Sequence, residues 1–173
     1  MKTLLLILSL FALFAFSSAE LDPREVVYLH NYHRANNGVI KPNGQKLILP
    51  QLVWNEHLAQ TAHWNAAGYE TQRSWRLPNG DLRDSANQDG KITYCGPEKK
   101  FEKIFEKWWS GKHYYQYGSY PDIVPEGKSL IDVAPYAQLI NAKTYEVGCA
   151  QYGSCTVCFY AYVGNCNGCR PYS

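Results

Sequence analysis

An α+β domain is the fold class this sequence predicts, and three observations predict it. Capped apolar stripes of helical period occupy the earlier part of the chain. Two segments alternating Tyr and Val with small residues come near its end. Five of the six cysteines cluster between Cys149 and Cys169, in or beside those segments. Helical patterns first and strand patterns after give an α+β layered domain.

From the N-terminal side, Asp22-Pro23-Arg24-Glu25 is a helix start, with Asp as N-cap, Pro at the first position and Glu three residues after the cap. That helix runs through Val26, Leu29, His30 and His33 to about Asn36, where Asn36-Asn37-Gly38 ends it. A loop with Pro42-Asn43-Gly44 leads to a second helix from about Asn55, with Leu58, Ala59, Ala62 and Ala66 at helical spacing. Residues 72–96 are polar and turn-rich and predict little regular structure. Pro97-Glu98 opens a third helix. Its Phe101, Ile104, Phe105 and Trp108 form a core stripe, and Lys99, Lys100, Glu102, Lys103, Glu106 and Lys107 form a solvated face. Residues 113–135 are a loop rich in Tyr, Pro and Gly. A short helix at about 134–142 and strands at about 145–151 and 155–163 complete the chain.

Residues 1–19 read as a secretory signal peptide: Lys2, an apolar run over residues 4–16, then Ser17-Ser18-Ala19. Cleavage after Ala19 leaves residues 20–173 as one domain, a size that supports a full core. The apolar run is too short to span a bilayer comfortably, and no later segment approaches that length. Losing Lys2 lowers the formal charge from +2 to +1, which gives no basis for nucleic-acid or polybasic membrane binding. No N-x-[ST] glycosylation acceptor occurs.

Six cysteines in an oxidising compartment point to three disulfides, with the pairing left open by counting. The rival is a zinc knuckle built from Cys155, Cys158, Cys166 and Cys169. On a strand, however, Cys155 and Cys158 point to opposite faces and cannot chelate one ion. A redox role for Cys166-Asn167-Gly168-Cys169 lacks the following helix that would lower a thiol pKa. His30 and His33 share a helix face, and His57 and His63 lie on another helix; packed or solvated histidines explain them better than a metal site. No G-x-S-x-G elbow is present for nucleophilic catalysis.

With the elements placed, the chain resembles the CAP superfamily of cysteine-rich secretory, antigen 5, pathogenesis-related and venom-allergen-like proteins. His30-Asn31-Tyr32-His33-Arg34 resembles the family's HNxxR on its first helix. Leu52-Val53-Trp54-Asn55-Glu56-His57-Leu58-Ala59-Gln60-Thr61-Ala62 resembles its LxWxxxLAxxA helix, and Trp108-Trp109 its Trp-Tyr pair. Tyr136-Ala137-Gln138 resembles the middle of HYTQ, and Val147-Gly148-Cys149-Ala150 matches VGCA. Cys158-Phe159-Tyr160-Ala161-Tyr162-Val163-Gly164-Asn165 matches CxYxPxGN, with Val at the Pro position. Each fragment is weak alone; six in the right order are specific. The resemblance implies a three-layer α-β-α sandwich around a central antiparallel sheet.

Many members of that family hold two His and two Glu in a cleft that binds a divalent cation. The matching positions here are Arg73, Ala86, Gly111 and Pro135, so the resemblance implies a degenerate tetrad. Ala, Gly and Pro side chains neither ligate nor transfer protons, and Arg73 repels a cation. The family commonly bridges the pair matching Cys149–Cys158. The family's other common bridge joins the cysteine after VGCA to one at the end of the second helix; that second partner is absent here, so the resemblance implies Cys95–Cys155 as the second bridge and Cys166–Cys169 as the third. The resemblance and the degenerate tetrad together imply a secreted, non-enzymatic protein without a cofactor, with an immunomodulatory or venom-allergen-like role. Its expected ligand is a lipid or sterol, or an extracellular protein partner. Family binding of sterols or fatty acids makes Tyr114, Tyr115, Tyr117, Tyr120, Ile123 and Tyr136 the candidate ligand loop, although the same side chains serve equally to stitch that loop to the domain. The alternative is a metal-dependent hydrolase using the same cleft.

Overall fold

The structure, a computed structural model, describes residues 21–71 and 90–173. The expected signal peptide and positions Arg73 and Ala86 lie outside them.

Helix α1 spans Pro23–Ala35, and the Asp22 carboxylate accepts the Arg24 N–H at 2.9 Å as its N-cap. Strand β1, Val53–Trp54, is followed at once by helix α2, Glu56–Thr71. Asn55 caps α2 by accepting the Leu58 N–H at 3.0 Å. Strand β2, Lys91–Cys95, lies in a segment expected to be irregular. Its five residues are all buried, so the exposed-face polarity that marks most strands is missing. Lys91 is tolerated there because its ammonium donates to the Tyr69 hydroxyl at 2.7 Å and sits over the Tyr69 and Phe159 rings.

Helix α3 is Phe101–Trp109, and its stripe of Phe101, Ile104, Phe105 and Trp108 is buried. It starts later than Pro97-Glu98 because the Glu98 carboxylate accepts the Lys99 and Lys100 N–H groups in a preceding turn. A 3₁₀ turn, Ser110–His113, extends it. Helix α4 is Leu130–Leu139, upstream of the expected 134–142. Its start is set by a capping box, Ser129 with Asp132, which leaves Pro135 inside the helix. Strands β3, Glu146–Tyr152, and β4, Cys155–Tyr160, form the hairpin, with β4 ending before the expected residue 163.

The sheet order is β1-β3-β4-β2. Every pairing is antiparallel except the two-residue β1, which runs parallel to β3, so the central sheet has one short parallel edge. Helix α2 covers one face, where Ala62 and Ala66 meet Val157, Cys95 and Cys155. Helices α1, α3 and α4 cover the other, where Val26, Phe105 and Leu139 meet Ile92, Val147 and Tyr160. Gly148 sets the first spacing: a Cβ there would run into the α2 backbone at Asn55, Leu58 and Ala59. Disulfides join Cys95 to Cys155, Cys149 to Cys158 and Cys166 to Cys169, leaving no free cysteine. Cys155 and Cys158 serve opposite faces of β4 and take different partners.

Candidate ligand cleft and its surroundings

Three inward residues of α1 hold distant parts of the chain. Asn31 lies beside β1, and its side-chain amide pairs with the Leu52 backbone, accepting the N–H at 2.7 Å and donating to the carbonyl at 3.0 Å. It thus covers part of an edge that no strand covers. His30 is buried among Phe101, Phe105 and Tyr160. Its Nδ1 lies 2.7 Å from the Val26 carbonyl, which fixes that nitrogen as the protonated one. Nε2 then accepts the Tyr160 hydroxyl at 2.9 Å. Burial holds the His30 pKa down at about 3, so the ring is neutral, and burial pushes the Tyr160 phenol well up.

Arg34 is 2 % exposed, and among the described residues it pairs with no carboxylate. Its guanidinium donates instead to four carbonyls: Pro50 at 3.0 Å, Leu139 at 2.7 Å, Asn141 at 3.2 Å and Thr144 at 3.0 Å. Desolvation lowers its pKa to about 10, which still leaves it charged at neutral pH. The planar fork ties α1 to the β1 approach and to the turn between α4 and β3.

Gly111 lies in the 3₁₀ turn, buried against α4. A Cβ at Gly111 would meet the Asp132 carbonyl oxygen at 2.5 Å and the Tyr136 Cβ at 3.0 Å. The absence of a side chain lets the two backbones touch. Pro135 is buried in the same stretch of α4, between Ala134 and Tyr136. The structure therefore brings Gly111 up to the turn of α4 that carries Pro135, and neither position offers a ligating atom. Among the described residues no group of three His, Cys, Asp or Glu side chains could hold a metal ion.

The aromatic loop divides into inner and outer parts. Ile123 is fully buried and Tyr120 nearly so, packed with Val133, Ala134 and Ala137 of α4. Tyr136 is buried edge-on between Trp109, at 5.1 Å, and Tyr115, at 5.5 Å. Among the described residues its hydroxyl has no hydrogen-bond partner, and burial raises its pKa. Tyr114 and Tyr117 face outward at 41 % and 37 % exposure. Lys128 covers the Tyr114 ring at 4.0 Å, and Tyr172 packs on Tyr117 at 5.1 Å. The segment after β4 straps this loop down: Gly168 N–H donates to the Tyr120 carbonyl and Tyr120 N–H to the Cys169 carbonyl, both at 2.8 Å.

An apolar opening at the surface lies elsewhere. A groove of about 530 Å³ runs between α1 and β1, walled by Val27, Tyr28, Leu52, Val53 and Trp54. Tyr28, Val53 and neighbouring Tyr32 are more than half exposed. Sequence patterning places α1 but does not show that a groove opens between it and β1.

The family model of cysteine-rich secretory proteins, CAP, matches residues 27–166. Among solved structures the chain is similar to the Schistosoma mansoni venom allergen-like protein 4, at 22% identity and a TM-score of 0.59, covering 87% of this chain and 93% of that one. It is similar to a hookworm platelet inhibitor at 18% identity and a TM-score of 0.57, covering 88% and 77%. A structure of NaASP2 with Zn2+ matches at 17% identity and a TM-score of 0.57, covering 87% and 84%. At these identities the likeness is one of fold. Among curated proteins none matches the chain.

Proposed function

The chain belongs to the CAP family of cysteine-rich secretory proteins, and on that premise we propose that it is a secreted protein that works by binding rather than by catalysis. One observation carries this reading. Where the resemblance places the two well-anchored cleft ligands, the chain has Gly111 and Pro135, and the backbone of α4 fills the space a side chain at Gly111 would need. No proton donor or metal ligand reaches that point from either position. Arg73 and Ala86, aligned with the other two ligands, extend the same reading.

The ligand favoured is apolar, a lipid or sterol, because the groove between α1 and β1 is walled mainly by apolar side chains and opens to solvent. Tyr114 and Tyr117 are the parts of the aromatic loop that a ligand or an extracellular protein could reach. Palmitate or a sterol should bind the mature protein saturably. Val53→Asp, at an exposed groove position, should weaken binding about tenfold without changing the unfolding midpoint. Absence of saturable binding overturns the lipid reading and leaves the protein-partner form, tested by pull-down from extracellular fluid. Stoichiometric zinc or magnesium in the purified protein would favour the metal-dependent hydrolase instead.

A further inference from the structure

A second opening lies at the far end of β1. Strand β1 pairs only as far as Trp54 with Val147, after which Asn55 turns the chain into α2, while β3 continues to Tyr152. Among the described residues the β3 edge beyond Val147 therefore has no strand neighbour. Val53 and Asn55 donate to the carbonyls of Tyr145 and Val147, so odd-numbered β3 residues present their backbone groups to this side. By strand alternation the carbonyls of Cys149 and Gln151 point the same way. A cavity of about 330 Å³ fills the step, lined by these residues with Trp54, Glu56, Gln60 and His63.

The side chains there are supplied unevenly with donors and acceptors. The Trp54 indole N–H is spent on Glu56 Oε2 at 2.9 Å, and Gln151 Nε2 on the Lys99 carbonyl at 3.2 Å and Thr156 Oγ1 at 2.9 Å. Among the described residues Glu56 Oε1 and Gln151 Oε1 make no hydrogen bond or ion pair, and His63 is the one basic side chain in the lining, which holds no Lys or Arg. Arg24, at the start of α1, is paired with Asp22 at 3.1 Å. A carboxylate, an amide oxygen and strand carbonyls beside an indole match an ammonium group carrying a small apolar substituent.

We infer that this cavity binds a small primary amine of the arylalkyl type, with the ammonium among Glu56, Gln151 and the β3 edge and the apolar part against Trp54 and Ala59. The site is separate from the Gly111–Pro135 region and does not depend on the lipid reading. Glu56 is exposed, so its charge contributes modestly.

The test is titration of the oxidised mature protein with phenethylamine, 2-phenylethanol and 3-phenylpropionate, followed by calorimetry and by the Trp54 indole N–H resonance. Phenethylamine should bind saturably and shift that resonance, about fivefold tighter than the alcohol. The carboxylate should bind weakest. Glu56→Gln keeps an acceptor for the indole and should erase the preference of amine over alcohol with the unfolding midpoint unchanged. Gln60→Glu, adding a carboxylate, should tighten the amine. Equal binding of amine and alcohol, an undiminished preference in Glu56→Gln, or no saturable amine binding up to concentrations on the order of 10 mM overturns the proposal.

Discussion

The two faces of the central sheet pack against their helices with opposite materials. Toward α2 the closest contacts are small, Ala59, Ala62, Ala66, Gly148 and the Cys95–Cys155 bridge, with Tyr69, Phe159 and the buried Lys91 beside them, so helix and sheet backbones lie close. Toward α1, α3 and α4 they are Phe101, Phe105, Trp108 and Tyr160, and within that thicker layer lie the buried polar side chains His30 and Arg34. Thin layers of small residues are specified by local spacing. Thick aromatic layers leave room for polar groups, whose hydrogen bonds must be found far along the chain.

The largest expected effect separates the faces by their staples. Cys95–Cys155 closes a separation of 60 residues and Cys149–Cys158 only 9. Replacing the first pair by serines should lower stability by about 4 kcal/mol, and the second by roughly 2.5 kcal/mol, in urea unfolding. Equal losses would show that packing on each face, rather than loop closure, governs the bridges. Next is Arg34→Met, which keeps the stem and leaves four carbonyls without their donor; it should cost about 3 kcal/mol. Arg34→Lys should recover only part of that, since an ammonium cannot span the fork. A loss below about 1 kcal/mol would mean that water replaces the guanidinium and that the thick face is wetter than its burial implies.

The last effect is the smallest per unit of change, a slope with pH. An unfolded His30 takes up a proton below its ordinary pKa of 6.5, while the buried ring refuses it until about pH 3. The unfolded state therefore binds more protons in that window. Stability is fully present above about pH 6.5 and falls with acidification by up to ~1.4 kcal/mol per pH unit. His33, half-buried and also lowered by desolvation, adds to the same trend. His30→Gln should flatten the slope between pH 6 and 4 relative to the wild-type protein; an unchanged slope would move the acid sensitivity off the aromatic face.

This division also accounts for what the sequence made legible. The spacing of Ala59, Ala62 and Ala66, the stripe from Phe101 to Trp108 and the Asp22 cap are local signals, and the helices stand where they point. Strand β2 escaped because burial on both sides removes its alternation, and α4 began early because Ser129 and Asp132 outweighed the proline. The role of Arg34 was illegible for a different reason: three of its four acceptors lie more than 100 residues away. Gly111 and Pro135 could be named from neighbouring motifs, but the packing of Gly111 against the turn of α4 that carries Pro135 needed the fold. The cavity beside Glu56 depends on where β1 stops, which two residues of pattern cannot announce.

The strap over the aromatic loop bears on how the chain resists proteolysis. Residues 166–172 are held by the Cys166–Cys169 bridge, by the paired Tyr120 hydrogen bonds and by the Ala142 N–H donated to the Pro171 carbonyl at 2.7 Å. A protease cleaves chain that has locally opened, and opening this segment requires lifting Tyr172 from beside Tyr115 and Leu47. Nicking should therefore strike other exposed turns first, and a molecule cut within the strap would loosen the loop that carries Tyr114 and Tyr117.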